Sequence, residues 1–202
     1  MITSMCNSYK YTIVITNRHL VQGDFLKQLE KVTKLHPHAL ILREKDLADD
    51  AYESLAKKVF DLCKREDITF FLHTKIEIAR KIGCQNIHLS IPVLKGLSET
   101  EKKALTEDFC EISISCHSME DVEIAMAGGA TQIILGTIFE TECKKGVLGK
   151  GVEFVREICQ KCPLPVYAIG GMNLQRLPLV IDAGAAGCCM MSGFMQTTKP
   201  LQ

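Results

Sequence analysis

Short apolar runs alternate with amphipathic segments along almost the whole chain. The apolar runs are rich in β-branched residues, which is typical of buried strands, whereas in the segments between them apolar residues recur at helical spacing. After the cap residues Asp49 and Asp50, for example, Leu55, Val59 and Leu62 fall on one helix face. The predicted strands cover residues 11–16, 39–42, 68–72, 86–89, 111–115, 131–135, 166–169 and a last run that ends at Ser192-Gly193.

This alternation of strand and helix repeats eight times, at roughly 20 to 35 residues per unit, which predicts a closed parallel barrel of the (β/α)8 type. With 202 residues and 47% hydrophobic content, we expect one TIM-barrel domain spanning residues 1–202. Residues 194–202 are too few for a normal closing helix, so the last helix is predicted to be short or missing. The wall of the first and last strands would then be exposed, which favours a homo-oligomer.

Charge and composition exclude several classes of protein. Lys+Arg and Asp+Glu are equal at 24 each and tryptophan is absent, which argues against a nucleic-acid partner. The chain lacks an 18-residue apolar run and a signal pattern at its amino terminus, so we expect no membrane association and a cytoplasmic location. The ten cysteines are scattered, several of them in apolar runs. Cys159 and Cys162 have redox or zinc spacing but no second pair, so no metal role is assigned to them.

Glycine-containing turns follow the last two predicted strands. Glycine lets backbone N–H groups approach an anion closely, and in this fold the loops after strands 7 and 8 are the usual phosphate site. The alternative is that glycine is needed there for turn geometry alone. The predicted phosphate-binding residues are Gly170, Gly171, Met191, Ser192 and Gly193.

Polar and cationic residues follow the other strands, although the whole chain is neutral. Residues just past the strand ends of a (β/α)8 barrel face a common pocket, so these side chains predict a site for a small phosphorylated molecule. The alternative is that each is merely solvated. The binding candidates are Arg43, Lys45, His73, Ser115, Thr141, Cys143 and Lys144. Strand ends three and four offer no carboxylate, so neither a metal nor an organic cofactor is expected.

His117 is the predicted catalytic residue because an imidazole both takes up and releases protons near neutral pH. Ser115 and Ser118 flank it and are candidates to orient the ring. The alternative is a structural histidine bonded to neighbouring backbone. His73 is a candidate second acid–base group or a donor to substrate, and His88, inside the fourth strand, is expected to be structural.

Four motifs resemble the thiamine phosphate synthase/TenI superfamily, and the resemblance extends from about Tyr11 to Leu201. They are Ile41-Leu42-Arg43-Glu44-Lys45, Ser115-Cys116-His117-Ser118, the 136–146 segment GTIFETECKKG and Ala168-Ile169-Gly170-Gly171-Met172. The FETECKKG loop, followed by Gly149-Lys150-Gly151, is more similar to the TenI branch than to the synthases.

The resemblance implies a thiazole tautomerase that converts a dearomatised thiazole carboxylate phosphate into its aromatic isomer, with His117 as the catalytic histidine. The loop 141–145 would close over the ligand. Synthases of this family bind magnesium through acids after strands three and four, where this chain has Thr74 and the 90–93 segment SIPV. Two alternatives remain: a thiamine phosphate synthase, which joins hydroxymethylpyrimidine diphosphate to thiazole phosphate, and a non-catalytic TenI-type regulator. A related phosphorylated heterocycle is also open as the substrate.

Overall fold

A closed barrel of eight parallel strands forms the centre of the protein, as a computed structural model of residues 8–141, 146 and 148–196 describes it. Each strand pairs with the next along the chain, and β1 pairs with β8 to close the ring. The fold predicted from the hydrophobic pattern, a (β/α)8 barrel, is therefore confirmed. The strands are β1 (Thr12–Ile15), β2 (Ala39–Leu42), β3 (Thr69–His73), β4 (Asn86–Ser90), β5 (Glu111–Cys116), β6 (Gln132–Leu135), β7 (Val166–Ala168) and β8 (Gly187–Met190).

Helices connect the strands and surround the barrel. They are α1 (Phe25–Thr33), α2 (Asp49–Arg65), α3 (Ile76–Ile82), α4 (Ile91–Gly96), α5 (Glu99–Asp108), α6 (Met119–Ala127), α7 (Gly151–Lys161), α8 (Leu177–Asp182) and α9 (Ser192–Met195). Short 3-10 turns cover Tyr9–Tyr11 and Arg18–Leu20. Among the described residues, every helix is too short or too polar to cross a membrane.

Strand alternation divides the apolar residues into two cores. Outward-facing side chains such as Val14 and Leu40 pack with the helices in one large cluster. Inward-facing side chains such as Ile41, Phe71 and Tyr167 fill the barrel interior in a second cluster. The near-continuous apolar strands follow from this arrangement, because most strand residues face one core or the other.

The last helix in the described part of the chain is short, as predicted: α9 has four residues, and its Phe194 and Met195 are buried. The Phe194 ring lies 6.0 Å from the Tyr9 ring, and Gln28 Nε2 donates to the Phe194 carbonyl at 2.6 Å. The side chains of β1 and β8 are buried within the single chain. The exposed wall that suggested a homo-oligomer is thus covered by residues of the chain itself, and the oligomer stays a prediction.

Candidate active site at the carboxyl ends of the strands

The loop after β2 is anchored by a buried carboxylate. Glu44 is 2% exposed and accepts hydrogen bonds from Thr16 Oγ1 at 2.7 Å and from the Arg18 backbone N–H at 3.1 Å. Arg18 Nη1 also reaches Glu44 Oε2 at 3.2 Å. Glu44 therefore ties the ends of β1 and β2 together, and its neighbours Arg43 and Lys45 are half-buried and exposed, respectively, at the rim.

Two buried imidazoles lie side by side: His73 is the last residue of β3, and His88 is the central residue of β4. Their ring centroids are 5.5 Å apart with an interplanar angle of 27°. Burial, with the positive charges of Arg43 and Lys45, lowers the pKa of His73 to about 4. Burial, with the influence of His73 and Arg43, lowers the pKa of His88 to about 3. Both rings are therefore neutral at neutral pH, and the basic rim residues lie close enough to act on them.

Ser115 faces the barrel interior and is bonded to His88. His88 Nε2 lies 2.8 Å from Ser115 Oγ, and His88 Nδ1 lies 2.9 Å from Ser113 Oγ. Sequence reasoning assigned Ser115 to the ligand and His88 to structure, and did not connect the two. The polar alternation Asn86, His88, Ser90 along β4 was the pattern that indicates an inward-facing polar row.

His117 lies on the exposed loop between β5 and α6, and two side chains hold its backbone. Its N–H donates to Asp121 Oδ2 at 2.7 Å, and its carbonyl accepts a hydrogen bond from Lys150 Nζ at the start of α7. Ser118 caps α6 by accepting from the Asp121 N–H at 3.1 Å. The contact with Lys150 was not anticipated from the sequence, because it depends on how the loops after β5 and β6 meet.

The glycines after β7 are required by the backbone itself. Gly170 has φ +104°, and a Cβ there would lie 2.5 Å from Thr137 Cγ2. Gly171 has φ +60°, and its Cβ would lie 2.5 Å from the Glu140 carbonyl oxygen. Turn geometry, the alternative raised from the sequence, thus accounts for both glycines. Their role in binding phosphate stays a prediction.

The turn after β8 is different. A Cβ on Gly193 would meet no described atom within 4 Å, and its φ lies outside the positive range. Ser192 begins the short helix α9, so β8 ends at Met190 and not at Ser192-Gly193 as the sequence predicted. Met191 packs against the apolar cluster inside the barrel. Neither backbone conformation nor contacts with the described residues therefore require glycine at position 193, and the open space beside it could accommodate a ligand.

Two predicted binding residues, Cys143 and Lys144, lie outside the described residues, and Thr141 is half-buried at the start of that loop. Elsewhere, the structure brings Arg43, Lys45 and His73 together, with Ser115 joined to them through His88. His117 follows β5, and the glycine turns follow β7 and β8, at the same end of the barrel.

The ends of β3 and β4 do not fit a magnesium ion. Thr74 follows β3 with φ +62°, and its hydroxyl donates to the His73 carbonyl at 2.7 Å. After β4, the segment 91–93 forms the start of α4 and contains no acid. Hard divalent cations prefer carboxylate oxygens. No cluster of three His, Cys, Asp or Glu side chains suited to a metal occurs in the part of the chain that the structure describes.

These features define a class of protein: a (β/α)8 barrel with cationic, imidazole and glycine-turn residues gathered at the carboxyl ends of its strands, where this fold carries its active sites. Residues 12–194 match the family described as thiamine monophosphate synthase. The chain therefore belongs to the thiamine phosphate synthase/TenI family, and this membership supports an enzyme of thiamine biosynthesis.

Individual relatives agree with this assignment. The chain is 31% identical over 180 residues to a thiamine-phosphate synthase of Coprothermobacter proteolyticus, covering 89% of this chain and 84% of the relative. It is 28% identical over 195 residues to a thiamine-phosphate synthase of Clostridium acetobutylicum, covering 95% and 89%. Among solved structures, a thiamine phosphate pyrophosphorylase from Pyrococcus furiosus superposes with a TM-score of 0.80 at 23% identity, covering 96% of this chain and 91% of that one.

The names of these relatives bear on the two activities that the sequence suggested. They favour the synthase, which was the alternative, over the thiazole tautomerase, which was the main expectation. The structural neighbour, at its low identity, supports the fold alone. Membership of the family is thus established, and the reaction belongs to the proposal that follows.

Proposed function

We propose that this protein is a thiazole tautomerase, an enzyme that converts a dearomatised thiazole carboxylate phosphate into its aromatic isomer. The observation that carries the proposal is the chemistry at the ends of β3 and β4. Thr74 and the segment 90–93 stand where the synthases of the family hold magnesium with acids, and they supply none. A displacement of diphosphate needs a cation to neutralise the leaving group, whereas a proton relocation does not.

His117 would carry the proton. Its imidazole takes a proton from one ring position of the substrate and returns a proton to another, so that the formula is unchanged and no second reactant is consumed. Formation of the aromatic ring supplies the driving force, and the protein has to orient the substrate and move one proton. General acid–base catalysis of this kind contributes about 10²- to 10⁴-fold in rate. The hydrogen bonds that the His117 backbone donates to Asp121 and accepts from Lys150 support this role, because they fix the backbone from which the imidazole extends.

The phosphate of the substrate would bind at the turns after β7 and β8, where Gly193 leaves space and a helix follows. Arg43 and Lys45 on the opposite side of the mouth would hold a second anionic group.

A second candidate is the synthase reaction, in which thiamine phosphate forms from a pyrimidine diphosphate and thiazole phosphate. The names of the relatives favour it. In that reaction Arg43 and Lys45 would bind the diphosphate. The residues at the ends of β3 and β4 argue against it, for the reason given above.

One assay separates the two candidates. Purified protein is mixed with the dearomatised thiazole carboxylate phosphate in the presence of EDTA, and the aromatic product is followed by absorbance and proton NMR. We expect turnover without metal, and a fall of about 10²- to 10⁴-fold in kcat for His117→Ala. A matched control is His36→Asn, which removes an exposed imidazole from the loop before β2 and is expected to leave the rate unchanged.

The opposite result is equally clear. If the protein leaves this substrate unchanged but forms thiamine phosphate from the two precursors when magnesium is added, the second candidate is correct. Binding of thiazole phosphate without either reaction would point to a regulatory protein that keeps the phosphate pocket.

A further inference from the structure

The imidazole of His73 is a buried polar group that the fold leaves incompletely bonded. The residue is 8% exposed, and its Nδ1 has no hydrogen-bond partner among the described residues. A buried polar atom without a partner costs stability, so native structures supply one from protein, water or ligand. The ring of His88 is an unsuitable partner because Ser113 and Ser115 occupy both of its nitrogens.

The position of His73 is nevertheless fixed. Its backbone N–H donates to the Tyr52 hydroxyl at 3.3 Å, and Tyr52 in turn donates to the Leu42 carbonyl at 2.6 Å. Its ring stacks on His88 at 5.5 Å. Tyr52 is itself 1% exposed and lies on α2. The imidazole is therefore held in place, as a preorganised binding group requires, while its Nδ1 has no hydrogen-bond partner among the described residues.

Positive charge surrounds this ring. Strands β2 and β3 pair with Leu42 opposite Leu72, so Arg43 and His73 follow side by side. Arg43 and Lys45 are the charged groups that act on His73, and both are cationic. The acid of the same loop, Glu44, is turned to Arg18 and Thr16. Two cations beside a neutral imidazole, with the acid of the same loop bonded elsewhere, suit an anionic group of a ligand.

The ring of strands sets this cluster opposite the phosphate turns. In an eight-strand barrel numbered in order, β3 is four strands from β7, and β5, which leads to His117, is halfway between them. A ligand that spans the mouth from β7 to β3 would pass His117 on the way. The arrangement therefore suits a ligand with an anionic group at each end and a reacting carbon–hydrogen bond between them.

We propose that His73 is a specificity-determining residue whose ring N–H, together with Arg43 and Lys45, binds the carboxylate of the thiazole carboxylate phosphate. The inference rests on the proposed function, because that function brings a carboxylate-bearing ligand to this pocket. It adds a consequence: the protein distinguishes the carboxylate-bearing thiazole phosphate from the thiazole phosphate that lacks the carboxylate.

The test is a comparison of two ligands by isothermal titration calorimetry: the aromatic thiazole carboxylate phosphate and the aromatic thiazole phosphate without the carboxylate. The wild type should bind the first more tightly. His73→Phe keeps a ring for stacking on His88 but removes the N–H. It should weaken binding of the carboxylate ligand about 10- to 100-fold and leave the other ligand unchanged, because a hydrogen bond to a charged group accounts for a change of that size.

Two further variants complete the design. His38→Phe is the matched control: His38 is also stacked on an aromatic ring, Tyr167 at 5.4 Å, but precedes β2 at the opposite end of the barrel. It should leave both affinities unchanged. His73→Asn keeps an N–H donor and should restore part of the preference that His73→Phe loses. Far-UV circular dichroism before each titration establishes that the variants are folded.

Equal affinity of the wild type for the two ligands would overturn the inference, and so would an undiminished preference in His73→Phe. The result is separable from that for the proposed function. If the preference is lost in His73→Phe but the wild type does not isomerise its substrate, the carboxylate site stands and the tautomerase fails. If the wild type isomerises and His73→Phe keeps the preference, the tautomerase stands and the carboxylate site fails.

Discussion

The two buried imidazoles predict that the protein loses stability in mild acid. In the folded state the pKa of His73 is about 4 and that of His88 about 3, against 6.5 for a free histidine. Below pH 6.5 the unfolded chain takes up protons that the folded chain excludes, so falling pH favours unfolding. The stability is complete above pH 6.5 and is lost as the pH falls toward the folded values.

The size of this effect follows from linkage. A group that is protonated only in the unfolded state changes the free energy of unfolding by about 1.4 kcal/mol per pH unit. Integration from pH 7 to pH 5, with the unfolded pKa of 6.5 and the folded values above, gives about 2 kcal/mol per histidine, or about 4 kcal/mol for both. Domains are commonly stable by about 5–15 kcal/mol, so the loss is readily measured.

Urea unfolding followed by far-UV circular dichroism at pH 7, 6 and 5 measures this loss. The variant His73→Asn/His88→Gln should lose much less stability in acid. Between pH 7 and pH 5, its free energy of unfolding should fall by about 4 kcal/mol less than that of the wild type. The control His36→Asn removes an exposed imidazole and should keep the wild-type dependence. A wild type whose stability changes by less than about 1 kcal/mol between pH 7 and pH 5, or a double variant with an unaltered slope, would refute the reasoning.

Three further changes test the backbone and the buried charge by urea unfolding. Thr74→Asn should raise the free energy of unfolding by about 1 kcal/mol, because φ +62° is unfavourable for a β-branched residue and tolerated by asparagine; an unchanged value would contradict the strain. Gly170→Ala should lower the free energy of unfolding by about 2 kcal/mol or more, because its Cβ would lie 2.5 Å from a side-chain carbon. Gly193→Ala should lower it by less than about 0.5 kcal/mol, but should weaken the binding of thiazole phosphate measured by calorimetry. Equal losses from both glycines would be inconsistent with the contacts described. Glu44→Gln should lower stability by about 2–4 kcal/mol because it removes a buried charge that accepts from Thr16 and Arg18; a neutral effect would show that these bonds contribute little.

The architecture could be predicted from the sequence because the spacing of apolar residues indicates the order of strands and helices along the chain. The spacing of apolar residues predicts helices over Ile76–Ile82 and Met119–Ala127, which are the observed bounds of α3 and α6. Ser98 and Glu101 have the spacing of a capping box, and the structure forms it at the start of α5. The unpredicted helix α4 begins directly after β4, with Pro92 in its first turn. The end of β8 was misplaced because Met191 continues the apolar run while its backbone has already turned toward α9.

The site was predictable to the extent that it depends on strand ends. Parallel strands finish at one rim, so Arg43, Lys45 and His73 were expected to share a pocket before their charges were seen to influence one another. Side-chain pairings were not predictable, because they depend on register and on which face of a strand points inward. The bond between His88 and Ser115 requires both: β4 and β5 must pair with Ser90 opposite Ser115, and both residues must face the interior.

The interior of the barrel is therefore apolar in most places and polar in one, and this difference bears on function. Ile41, Phe71 and Tyr167 make most of it apolar, whereas the end of β3 and the middle of β4 carry two neutral imidazoles. Aliphatic side chains in those places would fill the interior without the acid sensitivity worked out above. The imidazoles thus lower stability in acid, and His73 additionally leaves a nitrogen without a protein partner. A ligand carboxylate between His73 and the cations of the β2 loop would bind to the ring that lacks a partner, and it would account for polar groups that the fold alone does not require.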